Sequence, residues 1–338
     1  MHIPDGYLSP QTYAPAYGVM IPLWALASAK LKKTLRARRV PMLALGAAFS
    51  FVIMMFNVPI PGGTTGHAVG SVLIAILLGP WAAMIAVSLA LIVQALIFGD
   101  GGITAIGANC FNMAVVMPFV GWGVYRLIAG SAPVISKRHS IGGAIAGYFG
   151  LNAAAITTAL MFGIQPIIAR DAAGHALYSP FPLSVAVPIM AAEHLLVFGF
   201  VEAVVTGLVV AYVQRVEPDM LAVTTKSHTT RLRKLAIGIG LLALLSPLGL
   251  YLPAKFAAGS AWGEWSSGEI GKIAGYVPSG LEKLESIWHA PMSDYALKGQ
   301  ESAPLWAVSL TYILSAVIGI AVLAVVTIGL RKALSRKE

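Results

Sequence analysis

The chain has 338 residues, is 57% hydrophobic and only 11% charged, and carries a net charge of +9 with a mean hydropathy of +0.79. Such values exclude an ordinary soluble enzyme, because apolar runs near 20 residues, the length a bilayer core demands, recur along it. The positive charges sit in short clusters between those runs, which speaks for the loops of a polytopic membrane protein and against nucleic acid as a partner.

In chain order, the opening "MHIPDGYLSP" has no basic n-region, and Asp5 and two prolines interrupt it before any apolar run. The mature chain is therefore expected to begin here, with a free amine one residue from an imidazole. Candidate spans follow at roughly 13–29, 41–57, 66–79, 81–98, 104–128, 140–163, 184–213, 235–252 and 304–330. The third is short, and reads as tilted or partly re-entrant. The expected fold is thus an all-α integral membrane protein, a helical bundle of about nine transmembrane helices.

Of the 23 Lys and Arg, 18 lie in alternate loops: Lys30 to Arg39, Arg126 to Arg138, Arg215 to Lys234, and the C-terminal Arg331 to Lys337. Those loops are expected in the cytoplasm, which puts the N-terminus outside and the C-terminus inside. The loop "NVPIPGGTTGHAVG" then lies outside, so His67 shares a membrane face with Met1 and His2, as does Asp100 in "FGDGGIT". Two modules are expected: a compact bundle at 1–217, a cytoplasmic linker at 218–234, and a module at 235–338. In the last, two helices flank an outside segment, 253–303, holding Glu264, Glu269, Glu282, Glu285 and Asp294. Cys110, the single cysteine, reads as a packing residue.

An N-terminal Xaa-His pair is a chelator by geometry. The Met1 amine and His2 backbone nitrogen close a five-membered ring on a metal, and the His2 backbone nitrogen and Nδ1 close a six-membered one. A fourth nitrogen from His67 completes a square plane, a geometry that favours Ni²⁺ or Cu²⁺ over Zn²⁺ or Mg²⁺. Taken singly, His2 also reads as an accident of the translation start and His67 as a loop residue; their common face joins them.

"MHIPDGYLSP", "GGTTGHAVGSVLIAILLGPWAAM", "QALIFGDGGITAIGANCFNMAVV" and "VEAVVTGLVVAY" closely resemble the nickel/cobalt substrate-capture subunits of energy-coupling factor (ECF) transporters, the NikM/CbiM family. The resemblance covers nearly all of residues 1–215. The second module resembles the NikN/CbiN accessory component; its "YVPSGLEKLESIW" is a variant of a Pro-Asp-Gly-Leu-Glu signature, with Ser279 where Asp is expected. The resemblance implies that Ni²⁺, or Co²⁺ as the alternative, is held by the Met1 amine, the His2 backbone nitrogen and imidazole, and His67. It also implies a scaffold subunit and cytoplasmic ATPases as partners in a prokaryotic cell (inner) membrane. The Met-His-Ile-Pro-Asp-Gly opening looks like the nickel branch, since the cobalt branch more often reads Met-His-Ile-Met-Glu-Gly.

Supporting candidates around the ion are Asp5, Thr65, Asp100, Asn109 and Asn112, since a ligating His usually donates its second nitrogen to a carboxylate, carbonyl or amide. Glu193, His194 and Glu202 lie within the seventh span, where ionisable groups are either functional or paired structurally. Nine residues separate the two glutamates, so they face opposite ways and cannot share an ion. Ala44 and Ala48 offer a small-residue stripe for a scaffold helix, with Ala25 and Ala29 as the alternative. The sequence has no G-x-x-x-x-G-K-S/T phosphate loop, so ATP hydrolysis falls to another polypeptide, and no intrinsic cofactor is expected. A self-sufficient secondary transporter or channel is the rival reading; it needs a charged midplane pathway, for which only Glu202 and Glu193 are on offer. An intramembrane metalloprotease is disfavoured, because "AEHLL" reverses and truncates H-E-x-x-H.

Overall fold

The computed structural model describes residues 1–34, 40–221, 232–300 and 303–330. Arg36, Arg38 and Arg39, linker residues 222–231, and the C-terminal basic cluster from Arg331 lie outside the described residues. In chain order the helices are α1 (Pro10–Thr34), α2 (Val40–Met54), α3 (Ser71–Leu78), α4 (Pro80–Phe98), α5 (Ile106–Ala129) and α6 (Arg138–Ile168). They continue with α7 (Leu183–Val216), α8 (Leu232–Lys255), α9 (Ser267–Ala274), α10 (Ser279–Leu284) and α11 (Leu305–Gly329). A two-residue ribbon pairs Val58–Pro59 with Thr65–Gly66. The protein is mostly helical, and among the described residues six helices are long and apolar enough to cross a membrane: α4 to α8 and α11.

Alternating burial shows how α7 meets its surroundings. Leu196, Phe200, Val204 and Leu208, four residues apart, are all exposed and form an apolar stripe suited to lipid, whereas Glu202, Thr206 and Val210 are buried. Opposite it, α6 brings Gly143 and Gly147 against Val210, Thr206 and the Glu202 carbonyl, where a Cβ would crowd the neighbouring helix. Three membrane helices contain a π-helical stretch, at Gln94–Phe98, Cys110–Val116 and His194–Phe198. Such stretches shift the helical register and re-aim side chains, and they recur at functional sites.

The expected third span is not a helical crossing. α3 has 8 residues, about 12 Å of rise against roughly 30 Å of hydrocarbon. The chain reaches it through His67–Gly70, a buried non-helical stretch. Backbone at such depth is tolerated only where protein satisfies its polar groups. Here Glu202 Oε2 accepts from the Val69 and Gly70 amides at 2.8 and 3.1 Å, and Ser50 Oγ donates to the Val69 carbonyl at 2.8 Å. Thr206 Oγ1 donates to the other Glu202 oxygen at 3.1 Å. Glu202 is therefore a structural clasp at the start of α3. Glu202→Ala strands two buried amides, at about 1–3 kcal/mol each. The variant is expected to unfold well below wild type in a detergent melt, with Glu202→Gln recovering part of the loss; an unchanged melt would remove the clasp.

The second module wraps the first. Tyr312 Oη on α11 donates to the Met55 carbonyl at 2.8 Å, Gly319 lies against the Phe51 ring, and Gly249 on α8 lies against the Met55 carbonyl. α2, also flanked by α4, is covered on these sides. This corrects one expectation: Ala44 and Ala48 are 8% and 3% exposed and face the chain's own interior, so they offer nothing to a scaffold. Ala25 and Ala29 on α1 are exposed.

Between α8 and α11, residues 256–300 form a cover over the end of the bundle that carries the N-terminus. α9 starts with a capping box, in which Ser266 and Glu269 satisfy each other's backbone amides. Glu285 accepts from the Ser267 amide and hydroxyl at 2.8 and 2.5 Å, holding the chain after α10 to α9.

Candidate metal centre

The first five residues lie in the bundle instead of trailing from it. Asn109 clamps Ile3 from both sides: its Oδ1 accepts the Ile3 amide at 2.8 Å and its Nδ2 donates to the Ile3 carbonyl at 3.1 Å. The Gly102 amide donates to the same carbonyl at 2.8 Å. Asp5 accepts from the Ile103 and Thr104 amides at 3.0 and 2.8 Å and from the Thr104 hydroxyl. Further along, the Ser9 amide donates to Gln165 Oε1 at 2.9 Å. Close approach depends on Gly102, where a Cβ would lie 2.3 Å from the Asp5 nitrogen and 2.6 Å from the Pro4 carbonyl carbon. Both are backbone atoms with nowhere to go. Gly102→Ala is expected to dislodge the N-terminal strand and cut divalent-metal affinity at least about tenfold, as loss of supporting contacts does in metal sites; titration of the purified variant checks it.

This anchoring puts the His2 and His67 rings together, stacked with centroids 5.0 Å apart and planes 29° from parallel. Both residues are buried, at 3% and 8% exposed. His67 Nδ1 lies 3.1 Å from the Ala68 carbonyl. Donation there leaves Nε2 with the lone pair, the tautomer a metal needs.

His2 Nδ1 lies 2.5 Å from Asp100 Oδ1, while Nε2 is buried without a partner. Nδ1 is the nitrogen that the six-membered chelate ring requires. A half-turn about Cβ–Cγ would free it and carry Nε2 toward the Asp100 side. Burial alone would raise the Asp100 carboxyl, but His2, and then His67 and Tyr295, hold it below the usual range. Asp100 is fixed in turn: Tyr295 Oη donates to its Oδ2 at 2.5 Å, and Gln94 Nε2 lies 3.2 Å from that oxygen and 2.9 Å from Tyr295 Oη. Tyr295 has φ +60° and Asp294 φ +54°, a left-handed backbone that non-glycine residues rarely adopt. Ser315 Oγ, donating to the Tyr295 carbonyl at 2.8 Å, ties this turn to α11.

Of the supporting candidates, Asp100 touches a candidate ligand, while Asn109 and Asp5 secure the segment that carries one. Thr65 and Asn112 contact neither histidine. Thr65 Oγ1 donates to the Gly259 carbonyl at 3.4 Å, and Asn112 Nδ2 to Thr158 Oγ1 at 3.0 Å. Among the described residues no three His, Cys, Asp or Glu side chains converge as a conventional cluster. A site built from two imidazoles and main-chain nitrogens has no such cluster to show.

Residues 2–220 match the family described as "Cobalt uptake substrate-specific transmembrane region" (CbiM), and residues 233–336 match the PDGLE domain. The chain belongs to the CbiM family, fused to a PDGLE domain. It is 48% identical to a "Fused nickel transport protein NikMN" of Rhodobacter capsulatus, over 100% of this chain and 99% of that protein. It is 44% identical to a "Probable fused nickel transport protein LarMN" of Lactiplantibacillus plantarum, over 98% of each. A solved structure described as "Crystal Structure of an transition metal transporter" shares 54% identity at a TM-score of 0.60, covering 64% of this chain and 93% of its own. The family is one of nickel and cobalt transport proteins, and this CbiM–PDGLE chain is a multi-pass membrane protein within it.

Within the CbiM region, His194 Nδ1 lies 2.9 Å from the Met190 carbonyl and 3.4 Å from Glu193 Oε1, and Glu193 Oε2 is buried without a partner. The PDGLE domain supplies residues that the sequence did not point to. Tyr295 fixes Asp100, and Glu264 Oε1 lies 4.0 Å from the Met1 amine. Ser279, the departure from the signature, is exposed; beside it, the Gly280 and Leu281 amides dock on the Leu177 carbonyl at 2.8 and 3.0 Å.

Proposed function

We propose that this chain is the substrate-capture component of an ATP-driven ECF-type importer, taking Ni²⁺ (or Co²⁺) from outside and presenting it for passage inward. The observation that carries this reading is the meeting of the His2 and His67 rings beside a buried N-terminus, with Asp100 bracing His2. The ligands are the Met1 amine, the His2 backbone nitrogen and Nδ1, and His67 Nε2. Residues 1–217 are the capture domain, 218–234 a cytoplasmic linker and 235–338 the accessory module, with about nine passes, the N-terminus outside and the C-terminus inside. Buried non-helical chain before α3 completes the third pass.

Hydrolysis falls to partner ATPases, coupled through a membrane scaffold subunit that slides along exposed small residues such as Ala25 and Ala29. Nickel is favoured over cobalt by the square-planar nitrogen set and by the names of the two full-length relatives. The test is titration of the purified full chain with Ni²⁺ and Co²⁺. A yellow, diamagnetic, 1:1 nickel complex is expected, outcompeting cobalt; an octahedral, paramagnetic nickel complex would overturn the ligand set.

A further inference from the structure

Between the N-terminal segment and the PDGLE cover lies a cavity of about 270 Å³, lined among others by Pro4, Asp5, Gly102, Glu264, Glu285 and Trp288. Ser266 and Trp288 at its border are exposed, so it communicates with solvent. A divalent ion with six waters, at roughly 30 Å³ each, fits inside it. Three carboxylates line this vestibule, and two are engaged elsewhere: Asp5 by the 103–104 amides, Glu285 by Ser267. Glu264 differs. Its partner is the Met1 amine, 4.0 Å away, and its side chain is 29% exposed.

The same amine has a second carboxylate within electrostatic reach, Glu193, whose Oε2 is buried and unpartnered. Beside the amine, His2 Nε2 is likewise buried without a partner. The vestibule therefore ends in a carboxylate whose charged partner is the Met1 amine, the first of the proposed nitrogen ligands.

We propose that Glu264 is the receiving ligand of this transporter: it takes the hydrated divalent cation in the vestibule and passes it to the Met1 amine and His2. This rests on the metal-capture reading above. The carboxylate replaces one or two of the ion's six waters and is itself replaced, with the remaining waters, as the amine, the His2 nitrogens and His67 close around the ion; the waters return to the vestibule, and the protons leaving the amine and the His2 amide pass to that water. Oxygen donors exchange readily and suit a transient contact; the square-planar nitrogen set suits the final one. Glu264 thus sets the rate of loading and takes no part in the finished complex.

The test follows nickel association with the purified full chain by stopped-flow absorbance. Glu264→Gln is expected to slow association about tenfold, the lower end of what a focusing charge contributes. Its final spectrum and 1:1 stoichiometry should match wild type. Glu264→Asp should recover most of the rate, and Glu282→Gln, an exposed carboxylate on α10, should change nothing. In wild type the rate should fall as salt is added, a measurement that needs no variant to fold. An unchanged rate in Glu264→Gln, loss of its final spectrum, or a salt-independent wild-type rate would each overturn the proposal. Wild type that forms no square-planar nickel complex would instead sink the capture reading.

Discussion

His2→Ala is expected to weaken nickel binding by about four orders of magnitude and to abolish the square-planar spectrum, whereas His67→Ala should cost about two. Four-coordinate structural zinc sites bind with roughly 10–16 kcal/mol, and the same scale is taken here. Shared over four nitrogens, that is about 3 kcal/mol each, or two decades of affinity. In the proposed site His67 contributes one nitrogen, its Nε2, since Nδ1 is engaged with Ala68. His2 would contribute two, because its backbone amide ionises only when the amine and imidazole on either side hold the metal over it. Affinity should also fall as pH drops, since amine and amide must be unprotonated to ligate. Titrations of the two variants between pH 6 and 8 measure all of this; equal losses for both substitutions would refute the three-nitrogen role of the first two residues.

Deleting residues 225–338 is expected to reduce nickel uptake by whole cells to below about a tenth of wild type. The deletion removes Tyr295 from Asp100 and Glu264 from the Met1 amine. It also removes the hydrogen bonds of Trp265 to Tyr7 and of Trp262 to Thr64 beside the two candidate ligand segments. Loss of contacts that orient metal ligands typically costs 10–100-fold in affinity. The faces of α2 that pack on α8 and α11 would be stripped as well. Tyr295→Phe separates the two effects, since it leaves the cover folded and removes one hydrogen bond to Asp100. Wild-type uptake by the truncated chain, measured at equal membrane abundance, would show the PDGLE domain to be dispensable.

How far the site was legible depended on the distance over which each contact acts. The chelating power of Met1 and His2 is a property of two adjacent residues. The side of the membrane assigned to His67 followed from the placing of Lys and Arg in alternate loops. Tyr295 and Glu264 left no such trace, because their partners Asp100 and Met1 lie about 200 residues or more away and no periodicity links them. Hydropathy overstated the third span, since it registers apolar content and cannot tell a short helix with a buried extended approach from a full helix. The role of Glu202 stayed open between functional and structural for the related reason that its two amide partners become needy only once that approach is non-helical. Ala44 and Ala48 were misjudged because small side chains permit close contact with any neighbour, and here the neighbours belong to the same chain.

The PDGLE segment is stitched to the N-terminal bundle on several sides of the candidate metal centre: Gly259 to Gly63, Trp265 to Tyr7, Leu281 to Leu177, Met292 to Ile97 and Tyr295 to Asp100. Each stitch is worth only about 1 kcal/mol, yet the five together keep the lid shut in all but about one molecule in several thousand. If the ion leaves toward the opposite side, either the lid travels as one rigid piece with its seat, or something must tear the seam. Under the proposed coupling to partner ATPases, the work of hydrolysis would then go largely into unfastening a cover, and comparatively little into moving the ion.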